Sequence, residues 1–91
     1  MMYSLEFTDI AEKDIIALKR SDTQAYKKIE KLLIELMEHP TTGTGKPKPL
    51  GEDRLGQWSR RISQKHRLVY EIYEKRVTVL ILSAHGHYGD K

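Results

Sequence analysis

The apolar residues of this chain change period once, and that change limits the fold more than any single residue does. Ala11, Ile15 and Leu18, then Ala25, Ile29, Leu32, Leu33 and Leu36, recur at the three- and four-residue spacing of a helix face. From Gln57 the period falls to two: Trp58, Arg60 and Ile62 alternate with Ser59, Arg61 and Ser63. Between them, residues 40–51 hold all three prolines and three of the six glycines. That stretch reads as a structured loop, too short to link two domains. A helical half followed by a strand half, in 91 residues, predicts one domain over residues 1–91.

Local signals place the elements. Tyr3, Leu5 and Phe7 alternate with Ser4 and Glu6 as in a short strand. Thr8 is positioned to cap a helix whose first turn carries Asp9 and Glu12. Ser21-Asp22-Thr23-Gln24 reads as a capping box that restarts the helix, and Pro40 ends it. His66 to Tyr73 forms a second strand of the later half. Arg76 to Ala84, nearly all apolar and β-branched, is expected to be a central strand covered on both faces. A two-residue Glu74-Lys75 turn would join these last two. The order β-α-α-β-β-β predicts an α+β domain, with a helical hairpin on one face of a small, mainly antiparallel sheet.

Composition excludes several kinds of chemistry. The absence of cysteine removes a disulfide framework, a thiolate nucleophile and a Cys-ligated zinc site. A chain of 91 residues holds one core and little else, so chemistry is expected on the surface or in a shallow groove. No apolar run reaches ~18 residues and the start lacks a signal-peptide layout, which predicts no membrane association and a cytoplasmic location. The net charge of +3 is unevenly spread. Residues 1–42 carry 6 Lys+Arg against 8 Asp+Glu, and residues 43–91 carry 10 against 5. The basic second half predicts a surface for a polyanion.

The residues that could act there are His66, His85, His87, Arg60, Arg61, Arg67, Lys46, Lys48 and Tyr88, with Glu52 and Asp53 as acids. His85-Gly86-His87 could ligate a metal or serve acid–base chemistry, or it could be a solvated tail. No further ligand stands at motif spacing, so no metal is expected. Strand alternation sends Arg60 and Arg61 to opposite faces, so one of them at most lines a given groove. Trp58 either packs in the core or stacks on a base. No serine lies in a nucleophile elbow, and Gly43 and Gly45 before Lys46 lack the spacing of a phosphate loop.

Gly-Lys-Pro-Lys-Pro-Leu (45–50), Gly-Gln-Trp-Ser-Arg-Arg-Ile-Ser (56–63), His-Arg-Leu-Val-Tyr (66–70) and a terminal His-Tyr (87–88) resemble the Txe/YoeB toxins of the RelE/ParE toxin–antitoxin superfamily. The resemblance spans the chain and is densest over residues 43–88. It implies a RelE-like fold and a toxin of a type II system. The implied activity is that of a ribosome-dependent endoribonuclease (an mRNA interferase) that cleaves mRNA in the A site without a cofactor. The implied partners are a YefM/Phd-type antitoxin, the 70S ribosome with its mRNA, and a second copy of the toxin. By position, His87 would be the general acid, Arg67 the transition-state arginine, Arg61 a second phosphate contact, and Tyr88 a residue that shapes the site. Lys46, Arg60, His66 and Trp58 complete the expected RNA or phosphate contacts.

One position departs from the family pattern. The middle residue of the Pro-x-Pro segment, usually a Glu in the general-base role, is Lys48. A lysine acts as a base only when desolvation or nearby cations lower its pKa. Lys48 is therefore expected at the site as either base or electrostatic clamp, with Glu52 and Asp53 as other bases. A chain with weakened catalysis that only binds the ribosome or an antitoxin is the alternative. Spacing alone does not assemble the site. A two-residue turn would set Arg67 opposite Leu82 and leave His87 up to ~17 Å away, unless the chain bends after Ser83 with the help of Gly86.

Overall fold

A computed structural model of the chain describes residues 2–86. The element order is β1 (Ser4–Phe7), α1 (Asp9–Ser21), α2 (Thr23–Glu38), β2 (Lys48–Pro49), a 3-10 turn (Glu52–Arg54), β3 (Gln57–Arg61), β4 (Arg67–Tyr73) and β5 (Thr78–Ser83). The five strands form one sheet in the order β1-β5-β4-β3-β2. β1 runs parallel to β5, and every other pair is antiparallel. The expected α+β class and helical hairpin are both present. β2 is an addition: two residues of the Pro/Gly-rich loop pair with β3.

The helices form where their caps and stripes direct. Thr8 accepts from the Ala11 amide at 3.0 Å and its hydroxyl donates to the Leu82 carbonyl at 2.9 Å, so one side chain both starts α1 and ties it to the sheet. The second cap differs from expectation. Asp22, not Ser21, accepts from the Ala25 amide, while the Ser21 hydroxyl donates back to Ala17 inside α1. Leu18, Ile29, Leu32 and Leu36 from the helices meet Leu68, Tyr70, Val79 and Ile81 from the sheet in one buried core.

β5 is central, between β1 and β4, but the helices cover only one of its faces. Val79 and Ile81 are fully buried, whereas Leu80 and Leu82 on the other face are half-buried. The β4–β5 connection is also longer than expected. Tyr73 pairs with Thr78, so four residues, Glu74 to Val77, make the turn. Val77 takes a left-handed φ of 48°, and its amide donates to the Glu74 carbonyl at 3.1 Å.

Candidate active site

Alternation along β3 decides which face each side chain serves. Trp58 and Arg60 point toward the helices, and Gln57, Ser59 and Arg61 point away. Register then assembles the face turned away from the helices, on which Lys48 and Arg61 are exposed while Ser59 and Val69 are buried. Arg61 lies directly opposite Arg67, and Lys48 lies opposite Ser59, which is itself opposite Val69. Lys48 thus sits two residues, about 7 Å, along the sheet from the Arg61–Arg67 pair. Like charges directly opposite one another weaken strand pairing. Two arginines there serve an anion better than they serve the sheet.

The loop before β2 extends this face. The Arg61 amide donates to the Gly45 carbonyl at 2.6 Å, which lays Gly45 beside the end of β3. A Cβ at Gly45 would stand 2.9 Å from the Arg61 carbonyl oxygen, and its φ is +87°. Only glycine fits there. Lys46 follows in a left-handed conformation, φ 52°, exposed next to Arg61. Lys46, Lys48, Arg61 and Arg67 thereby gather near one end of the face turned away from the helices, an arrangement suited to phosphate oxygens.

Arg60 is a different residue from the one expected. It is 0% exposed, and all five of its N–H donors are taken within the protein. Nε donates to the Tyr70 hydroxyl at 3.2 Å, and Nη1 to Glu35 at 3.0 Å and to the Thr44 carbonyl at 3.2 Å. Nη2 donates to the carbonyls of His39 and Thr42. Tyr70 in turn donates to the Pro40 carbonyl at 2.8 Å. This network anchors residues 39–44 and leaves Arg60 no donor for RNA. Glu35 accepts from the Thr44 hydroxyl at 2.6 Å and the Thr44 amide at 2.8 Å. Those bonds, with the Arg60 charge, hold its carboxyl below the usual range against the opposing effect of burial. Burial raises the Tyr70 hydroxyl, which Arg60 partly offsets.

Two other expected RNA contacts also move. Trp58 packs against the core, on the face opposite Lys48, Arg61 and Arg67. His66 is 8% exposed. Its Nδ1 accepts from the Gly86 amide at 2.9 Å, and its ring lies 4.6 Å from that of His85. Glu52 and Asp53 lie in the turn beyond Gln57, at the far end of β3 from Arg61, about 13 Å along the strand. Among the described residues, no carboxylate occupies the Lys48–Ser59–Val69 row or the Arg61–Arg67 row. Nor, among them, do three His, Asp or Glu side chains come together as a metal site.

His87 and Tyr88 lie outside the described residues. The approach to them is defined up to Gly86. The four-residue turn and a bulge at Leu82, where Tyr70 pairs with Ile81 but Val69 with Ser83, together advance the β4–β5 register by three residues. That sets Arg67 level with His85 rather than Leu82, and its amide donates to the carbonyl of the next residue, Gly86, at 2.9 Å. His87 follows directly in sequence.

Two residues of this region escaped the sequence reading. Ser59 is buried with no hydrogen-bond partner for its hydroxyl among the described residues, and nothing in its strand context signals that. Asp14 accepts from the Ala84 amide at 3.0 Å, a contact 70 residues apart in sequence.

The chain matches the family model described as "YoeB-like toxin of bacterial type II toxin-antitoxin system" over residues 7–88. It is 37% identical over 84 residues to a toxin YoeB of Synechocystis, covering 92% of this chain and 95% of that one. Its fold superposes on a YoeB/ParE toxin from Agrobacterium tumefaciens with a TM-score of 0.87 at 33% identity, over 93% of this chain and 99% of that one. A chain of the YoeB–YefM complex from Staphylococcus aureus matches with a TM-score of 0.80 at 30% identity, over 97% of this chain and all of that one. With its buried hairpin, its five-stranded sheet and these relatives, the chain belongs to the YoeB-like toxins of bacterial type II toxin–antitoxin systems.

Proposed function

We propose that this toxin is a ribosome-dependent endoribonuclease acting in the cytoplasm. It cleaves mRNA in the A site, the 2′-oxygen of one nucleotide attacking the adjacent phosphate and the 5′-oxygen of the next leaving. No metal or cofactor takes part. The observation that carries this reading is the Arg61–Arg67 pair, with Lys48 opposite a residue two places along β3, on the sheet face turned away from the helices and beside Gly86. Such a face stabilises the added negative charge of a five-coordinate phosphate. As the 2′-oxygen attacks, its hydroxyl proton passes to Lys48 or to solvent water, and His87 protonates the leaving 5′-oxygen. Arg67 and Arg61 hold the phosphate, Lys46 adds positive charge, and Tyr88 shapes the RNA path. The partners are a YefM-like antitoxin and a second copy of the toxin, as in the S. aureus complex and dimer.

Primer extension on a translated mRNA tests this. Cleavage appears only when ribosomes are present, and His87→Gln abolishes it while the thermal unfolding curve stays in place. Cleavage of naked RNA at an equal rate, or full activity in His87→Gln, contradicts the assignment.

One observation favours a second reading. No carboxylate occupies the two basic rows among the described residues, so no acidic general base faces the Arg61–Arg67 pair there. A binding module without cleavage would then be the outcome. In that case the wild type is inert and Lys48→Glu gains activity.

A further inference from the structure

The last described residue, Gly86, is held through both of its backbone polar groups by consecutive residues of one strand end. Its amide donates to His66 Nδ1 at 2.9 Å, and its carbonyl accepts from the Arg67 amide at 2.9 Å. His66 is itself fixed: its carbonyl accepts from the amides of Ile62 and Ser63, and its amide donates to the Ser63 hydroxyl. The His85 ring packs against it, tilted by 47°, and the Asp14 carboxylate holds the Ala84 amide two residues before Gly86. The segment leaving β5 is therefore fastened at Ala84 to α1, and at His85 and Gly86 to His66 and Arg67 at the start of β4. Gly86 has a left-handed φ of +75° in this turn, and among the described residues nothing lies within 4 Å of the position a Cβ would take. Its hydrogen bonds, not crowding, define its place.

We infer that His66 is a positioning residue, whose Nδ1 accepts the Gly86 amide and so fixes the residue that directly precedes the proposed general acid His87. The inference rests on the proposed cleavage reaction for its consequence, but its structural half stands alone. An Nδ1 that accepts a backbone N–H carries no proton, so His66 is in the Nε2–H tautomer. It then does no proton transfer through that nitrogen and contacts no phosphate with it. Its work is to aim the next residue. A displacement of about 1 Å at a reacting group lowers turnover by about 100-fold.

Three measurements test this. In the purified wild type, long-range nitrogen–proton correlation spectra report the His66 tautomer, and the Nε2–H form is expected. An Nδ1–H form overturns the inference without any mutation. His66→Phe keeps the ring volume and removes the acceptor, whereas His66→Asn supplies an amide oxygen close to where Nδ1 stood. Slow hydrogen exchange of the Gly86 amide is expected in the wild type and in His66→Asn, and fast exchange in His66→Phe. In the ribosome assay His66→Phe should lose about 100-fold in cleavage rate at saturating mRNA with unchanged ribosome binding, and His66→Asn should recover most of it. Equal exchange in all three proteins, or equal loss in both variants, refutes the positioning role. An inert wild type with the expected tautomer and exchange pattern refutes the proposed cleavage instead.

Discussion

Arg60 and Arg61 are neighbours of the same type with opposite fates. Arg61 is exposed beside Arg67, while Arg60 spends five donors on a carboxylate, a hydroxyl and three carbonyls. Breaking one partner of a buried charged network costs about 3–5 kcal/mol. Arg60→Lys should therefore lower stability by about 3 kcal/mol or more in urea unfolding, because an ammonium has three donors where the site uses five. Glu35 gives a pH test of the same network. Its native pKa lies below the usual 4.5, so the stabilisation it contributes is complete above that value. It is lost as the pH falls through the depressed native pKa. Glu35→Gln should be less stable at pH 7 and show a flatter acid limb, read from unfolding midpoints between pH 3 and 7. Ser59 behaves oppositely. Its buried hydroxyl has no partner among the described residues, so Ser59→Ala should leave stability unchanged or raise it by about 1 kcal/mol.

The turn and the bulge carry the element-scale argument. Two extra turn residues and one bulged residue bring His85, not Leu82, level with Arg67, whose amide bonds the Gly86 carbonyl. The turn has a flaw that can be measured. Val77 is β-branched and held at φ 48°, a conformation that costs an ordinary residue about 1–2 kcal/mol. Val77→Asn should stabilise the protein by about 1 kcal/mol, seen as a higher urea midpoint at unchanged slope. Destabilisation would mean that Val77's packing outweighs its backbone strain. Gly45 shows the reverse economy, since glycine at φ +87° lets the loop lie against Arg61.

At the scale of the molecule the two halves divide the work. The acidic half supplies the hairpin, and the basic half supplies the loop and strands that carry Lys46, Lys48, Arg61 and Arg67. The uncovered sheet face is the one the helices leave open. An exposed arginine on that face should act through charge. Arg61→Ala is expected to weaken binding to single-stranded RNA and to reduce the slope of log K against log salt by about 0.7, measured by fluorescence anisotropy. Arg60→Lys, wherever it remains folded, should leave that slope unchanged. Equal slopes for wild type and Arg61→Ala would remove Arg61 from the RNA contacts.

Much was readable in one dimension, because it follows from local rules. Period, caps and turn residues are properties of short windows, so the helical hairpin, the later strands and the α+β class came from spacing alone. The motifs around Lys48, Arg61 and Arg67 pointed to the family, and alternation already separated Arg60 from Arg61. Alternation could not say which of the two faces the helices would cover. That choice depends on where α2 packs, with Glu35 and the 39–44 carbonyls waiting for a guanidinium. It turned Arg60 from an expected phosphate contact into the centre of a buried network. Nor could spacing foresee the register of β5 against β4, since a bulge adds one residue without a sequence mark. Long-range contacts made that decision: Thr8 on the Leu82 carbonyl, Asp14 on the Ala84 amide and His66 on Gly86. They join residues up to 74 positions apart, and no window of sequence contains both partners.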